Sequence, residues 1–407
     1  DYTSAFEETH PYLGMFDEGS TEAADWENKW LSEAGVDFKL VCWYSGTSTD
    51  AQKTPRNSFG LNAYMNSKYS DTVKYAIMWE NSGNLPKNAA DFRKNFVPYW
   101  IEYYFKDKDR YYTVDNKALF TIYRSSTLTQ VFGDNAAVKA ELDYLREQVK
   151  ALGYDDLIIL TTSSTSAKYG NFADMGFDGV YSYNLGPSAF DAQYQKTGLK
   201  QQLDNANALG NEFAAVPTVC VGFNNMYLND NTRYEDITVS DYKNVFDWLK
   251  TDYFASQKKN SWAANMVILS NWNEFGEGHY IMPANLNGFG YLNTIKNAFT
   301  AEKVADADIS KGEVPTEQQK ERFTSLYYQG KSRLRRDRRE SDSSVGDTSS
   351  LTRAVGWDMD KDGSKWLTGA FGIDGLQCTD GILKGKSTGG DFALSTTVAS
   401  LNSADAH

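Results

Sequence analysis

The sequence predicts an α/β fold, a (β/α)₈ barrel of the TIM type with a small C-terminal β-sandwich-like module, and three observations carry that reading. Short apolar runs alternate with helical stretches over the first ~300 residues, the signature of a parallel sheet whose strands are joined by crossover helices. Polar and aromatic residues recur just after nearly every run, where a barrel keeps its chemistry. Past Ala298 the alternation stops and gives way to a charged stretch and then a Gly-, Ser- and Thr-rich tail.

The strand-like runs are Val36 to Tyr44, Tyr75 to Trp79, Ala118 to Tyr123, Leu157 to Leu160, Gly179 to Tyr183, Ala214 to Val219 and Met266 to Leu269. Between them lie helical stretches over 22–34, 92–105, 136–152, 198–208 and 240–254. The first shows apolar residues at helical spacing and ends at Gly35, a residue suited to a helix stop. That gives seven strands. The remaining first strand is expected either in the weak run Tyr12 to Phe16 or upstream of residue 1, with an open barrel as the consequence.

The 407 residues suit one barrel-sized domain over 1–330, a polar and basic linker over 331–352, and a β-rich, carbohydrate-binding-like and incomplete module over 353–407. A formal net charge of −13 speaks against nucleic acid or an anionic membrane as the main partner. No apolar run reaches the ~18 residues of a membrane span. The N-terminus lacks a basic and apolar leader, which we read as a mature end after cleavage and hence a secreted, cell-surface or periplasmic protein. The three cysteines, Cys42, Cys220 and Cys378, are too scattered for a disulfide scaffold, and the first two are expected as buried free thiols. With only three histidines, acid–base work falls to carboxylates. Asp358, Asp360, Asp362 and Gly363 open like a calcium loop, but Gly369 stands where the bidentate Glu belongs. No metal or cofactor is expected.

The candidate site is the stretch Leu269 to Tyr280, an apolar run that turns abruptly polar. Glu274 and Glu277, three apart, face one cavity only if the chain turns tightly after the strand, which Gly276 and Gly278 favour. Trp272 offers an apolar wall for a sugar ring, and Asn271 and Asn273 offer donors and acceptors. Two carboxylates, an aromatic platform and amides are the parts glycosidic chemistry needs. Glu-x-x-Glu is by itself more often a solvated loop than a site.

The flanking residues sharpen it. Trp272-Asn273-Glu274-Phe275-Gly276-Glu277-Gly278 resembles the Trp-Asn-Glu-Trp-x-Glu-Gly signature of the glycoside hydrolase family 99-like proteins, including their WbsX-like group. Further pieces in the same order, such as Met78-Trp79-Glu80-Asn81 and Val216 to Phe223, extend the resemblance over roughly residues 10–300. It implies a polysaccharide- or glycan-cleaving hydrolase, endo-acting and retaining. By position Glu274 is the base on the sugar 2-hydroxyl and Glu277 the acid, through a 1,2-anhydro sugar, with the Glu277 carboxyl expected to be raised by burial and by its neighbour. Phe275 and Gly276 depart from the family pattern, so mannose specificity does not carry over. A non-catalytic carbohydrate-binding or structural role and a WbsX-like glycosyltransferase are the alternatives.

Convergence of strand ends on one mouth adds Trp43, Tyr44, Trp79, Glu80, Asn81, Tyr123, Arg124, Ser163, Tyr183, Asn184, Asn224 and Asn225. His279 and Tyr280, just past the pair, are taken as sugar contacts. Glu80 is the third carboxylate, with Arg124 as its alternative partner. The oligomeric state is left open.

Overall fold

The computed structural model describes residues 7–46, 58–164, 169–186, 188–210, 213–224 and 236–325, and four strands between 370 and 394. The chain splits into two compact units, Asp1–Gln329 and Gly330–His407. The expected linker at 331–352, the calcium-like loop and Asn225 lie outside the described residues.

In the first unit the strands are β1 (Phe38–Tyr44), β2 (Lys74–Glu80), β3 (Thr113–Val114), β4 (Lys117–Ile122), β5 (Asp156–Thr162), β6 (Gly179–Tyr181), β7 (Ala214–Ala215), β8 (Thr218–Cys220) and β9 (Ile268–Ser270). They pair in parallel in the order β1-β2-β4-β5-β6-β7 and β8-β9, while β3 adds an antiparallel edge to β4. Pro217, which has no N–H to give, separates β7 from β8. Hydrogen bonds cross the break all the same: Val216 N–H reaches the Val180 carbonyl at 2.9 Å, and the Pro217 carbonyl accepts from Ile268 at 2.9 Å. β7 and β8 are thus one stave, and the described strands make seven staves of the eight-stranded α/β barrel the sequence predicts.

The ring stays open between β9 and β1. Among the described residues no strand pairs with the outer edge of either, and a cavity of about 710 Å³ lies there, lined by Leu40, Cys42, Val267 and Leu269 among others. The run from Tyr12 to Phe16 does not fill it. Its neighbourhood makes only isolated bridges, Pro11 to Ala284 and Phe16 to Thr324, so that alternative for the first strand is corrected. The gap marks β1 itself: all its residues but Trp43 are only half-buried, whereas the middles of β2, β4 and β5 are sealed.

Helix caps follow from local chemistry. The side chains of Ser20, Asp134, Asp191 and Thr238 accept backbone N–H bonds at the starts of Thr21–Glu33, Asn135–Lys150, Ala192–Asn207 and Val239–Trp248. A continuous helical stretch over 89–105, with two π turns, lays Phe92, Phe96, Trp100 and Phe105 onto the sheet. Helices Phe59–Asn66, Ser125–Phe132 and Gly290–Phe299 were not foreseen. Cys42 and Cys220 are free thiols. In the second unit, Ile373–Thr379 pairs antiparallel with Ile382–Ser387, and Ala370–Phe371 with Ala393–Leu394. No described helix is long and apolar enough to cross a membrane.

Candidate active site

Beyond β9 the chain forms a small hairpin at the barrel mouth. β10 (Asn273–Glu274) pairs antiparallel with β11 (His279–Tyr280), and Glu274 stands directly opposite His279. Residues opposite each other in such a pair project to the same face. The connection is a 3₁₀ turn, Phe275–Glu277, closed by Gly278 at φ 64°. Only glycine fits: a Cβ at 278 would lie 2.5 Å from that of Asn224. The Asn224 N–H then donates to the Glu277 carbonyl at 2.7 Å, tying the turn to the loop after β8.

This geometry brings Glu274, Glu277 and His279 together. Burial raises the Glu274 carboxyl above the usual carboxylate range, and the charge of Glu277 raises it further, while a hydrogen bond from Tyr183 pulls it back. Glu274 sits on β10, and Glu277 on the turn just beyond it. Glu277 Oε2 lies 2.7 Å from His279 Nε2. Around the pair, Tyr44 and Tyr183 are both pushed up, first by burial and then by charges that include Glu274 and Glu277. Cys42, deeper in the barrel, is pushed up to about 12, mainly by burial.

The strand-end residues separate by the direction their side chains take. Tyr44, Glu80, Tyr123 and Tyr183 face the mouth: the charge of Glu80 reaches Tyr44, and Tyr123 meets Tyr183 edge-on at 5.6 Å. Arg124 is exposed, its guanidinium 5.5 Å from the Tyr123 ring. Glu80 accepts from the Ser82 N–H at 3.2 Å and from its hydroxyl, so Ser82, not Arg124, is its partner.

Trp43 and Trp79 do not belong to the site. They pair in register and turn outward, where both pack against Phe96 and Trp100. Asn81 is fully buried and braces the loop after β4, donating to the Arg124 carbonyl at 2.8 Å and accepting from the Arg124 N–H at 2.7 Å. Tyr280 is buried with its ring stacked on Phe275, 4.3 Å away, and Asn224 is buried beneath the turn. His279 has no exposed surface and so cannot be a direct sugar contact. Burial removes all six from the predicted substrate contacts.

Trp272 and Asn273 are half-buried and held across the mouth by residues that sequence reading missed. Trp272 Nε1–H donates to Glu27 at 2.9 Å, and Asn273 Nδ2 donates to Glu18 at 3.2 Å. Glu18 is raised by desolvation first and then by Glu27, Glu274 and Asp17. The only signal available was that Glu18 and Glu27 flank the cap and first turns of a helix predicted to lead into β1. Asn271 turns toward His279, its amide 3.3 Å from Nδ1.

The family model described as glycosyltransferase WbsX matches residues 84–295, more than half of the chain. The chain belongs to the WbsX family. The match covers β3 to β9 and the whole Glu274 to Glu277 turn, while Glu18, Glu27, Tyr44 and Glu80 lie before it. Among solved structures, this WbsX-family chain is similar to a GH99 endo-α-mannosidase from Bacteroides thetaiotaomicron, at 18% identity and a TM-score of 0.50 over 68% of this chain and 74% of that one. The same enzyme in complex with bis-tris-propane gives 18% and 0.50 over 70% and 80%. A glycoside hydrolase-like protein gives 17% and 0.54 over 73% and 90%. At such identities the likeness is one of fold. No curated protein matches the chain.

Proposed function

We propose that this WbsX-family protein is a retaining glycoside hydrolase acting on a polysaccharide or glycan outside the cytoplasm, with Glu274 and Glu277 as its acid–base pair. The observation that carries the reading is the hairpin: it sets one half-buried carboxyl, bonded by Tyr183, opposite His279, which in turn bonds the second carboxyl, at the barrel mouth.

Glu274 is the base. A carboxylate with raised proton affinity is the stronger base toward a sugar hydroxyl, provided it is ionised at the working pH. It removes the 2-hydroxyl proton as O2 attacks the anomeric carbon. Glu277 gives its proton to the glycosidic oxygen, and the bond to the leaving sugar breaks. In the resulting 1,2-anhydro sugar, water attacks the anomeric carbon as the C1–O2 bond breaks, Glu277 takes the water's proton, and Glu274 returns a proton to O2. Both groups end as they began. Tyr44, Tyr123 and Tyr183 supply ring faces around the sugar, and Trp272 walls the side toward Glu27.

The family's description favours a second reading, glycosyl transfer, which uses the same steps with an acceptor hydroxyl in place of the final water. Digestion of a glycan library that includes α-mannans, by the wild type and by Glu277→Gln, separates the readings. Released reducing sugar of retained configuration from the wild type alone supports hydrolysis. Release only when an acceptor is supplied supports transfer. Binding without release by both proteins, or turnover of a 2-deoxy substrate at an undiminished rate, overturns the proposal.

A further inference from the structure

We infer that His279 is a positioning residue for Glu277, locked as a neutral Nε2–H donor that aims one carboxylate oxygen and leaves the other for the substrate; this rests on the proposed role of Glu277. Among the described residues, four groups fix the imidazole. Nε2 lies 2.7 Å from Glu277 Oε2. Nδ1 lies 3.2 Å from Asn184 Nδ2, 3.3 Å from Asn271 Nδ2 and 3.4 Å from Ser270 Oγ.

The tautomer follows from the partners of those partners. Asn184 cannot turn its oxygen to the ring, because its Oδ1 accepts the Gly186 N–H at 2.7 Å while its Nδ2 also donates to the Gly222 carbonyl at 3.0 Å. Its Nδ2 therefore presents hydrogen to Nδ1. The Ser270 hydroxyl gives its proton to the Tyr183 carbonyl at 2.6 Å and so offers Nδ1 only a lone pair, but at 3.4 Å it is the most distant of the three neighbours and the two amides outweigh it. A ring nitrogen facing amide donors is a lone pair, so the proton sits on Nε2 and points at Glu277. Rings close the remaining sides, Tyr183 edge-on at 5.6 Å and Phe223 at 5.3 Å. With no exposed surface, the imidazole has no room to swing. It acts on the reaction only through the carboxylate it holds.

Two measurements test this. The chain has three histidines, so ¹⁵N spectra of histidine-labelled protein resolve each ring. The expected result is a protonated Nε2 and a bare Nδ1 for His279 at neutral pH, moved in Glu277→Gln. An Nδ1–H tautomer or an imidazolium overturns the inference, and this readout does not depend on turnover. In kinetics, His279→Ala should lose about 10- to 100-fold in kcat with KM nearly unchanged, the cost of a misaimed group. His279→Gln, whose amide can donate at the same place, should recover most of that loss. Equal losses in the two variants, both with wild-type melting temperatures, would instead make His279 a proton carrier and overturn it. A wild type that binds glycans but turns over none sinks the hydrolase reading while leaving the spectroscopic result standing.

Discussion

Trp79 and Glu80 are neighbours at the end of β2, yet they belong to different regions of the molecule. Trp79 is sealed among Phe92, Phe96 and Trp100 on the outside of the sheet, and Glu80 projects into the mouth with Tyr44. The same split divides Trp43 from Tyr44 one strand over, in register. Strand side chains alternate between faces, so in a barrel a one-residue step decides whether an aromatic meets helices or substrate. The inner face is where charge is concentrated and burial is costly; the outer face is where large rings pack without consequence for chemistry.

The largest effect that would break this division is on turnover. Glu274→Gln and Glu277→Gln should each lose about 10²- to 10⁴-fold in kcat/KM, and an aryl glycoside with a good leaving group should restore Glu277→Gln but not Glu274→Gln. Restoration of the Glu274 variant instead would exchange the two roles. On the outer face, Trp79→Ala should cost ~3–5 kcal/mol of stability, read by denaturant unfolding, with kcat/KM per folded molecule unchanged. Asn81→Ala, which strips the brace from the loop after β4, should cost about 1–3 kcal/mol, and a loss in KM without a loss in stability would return Asn81 to the site.

Finer effects come from titration. The Glu274 carboxyl is raised in the folded protein, so its protonated form is the favoured one: its contribution to stability is full below the ordinary carboxylate range and falls as pH rises through its own shifted value. Glu274→Gln should accordingly melt higher than wild type at neutral pH, with the difference closing in acid, as thermal melts across pH will test. Tyr183→Phe removes the bond that pulls Glu274 down, so the acid limb of the pH–rate profile should move to higher pH. The smallest effect sharpens a different contrast: amides on the gap-facing edge of β1 should exchange with deuterium faster than those bonded to β2.

The barrel was legible because strand runs and helix caps are local signals, and seven staves fall where the apolar runs lie. The turn was legible too, since Glu274, Glu277, Gly276 and Gly278 are close in sequence. Direction was the harder part. Trp43 and Trp79 were read as site residues because they stand at strand ends, and the register of β1 against β2 shows that they face outward; counting parity from Glu80 would already have separated Trp79. Glu18 and Glu27 were invisible for another reason, as each meets its partner in the hairpin more than 240 residues along the chain. His279 was read as a sugar contact because a histidine just past two carboxylates gives no hint of the Asn184 and Phe223 packing around it.

Gly278 limits how this mouth can change. With its backbone in the left-handed region and Asn224 filling the space a methyl would need, the pivot of the turn admits no side chain, and any substitution there would drag Glu277 off its mark. If the proposed function holds, retuning which sugars are accepted is therefore a task for the opposite rim, at Tyr44, Glu80 and Tyr123, where side chains can be exchanged without disturbing that hinge.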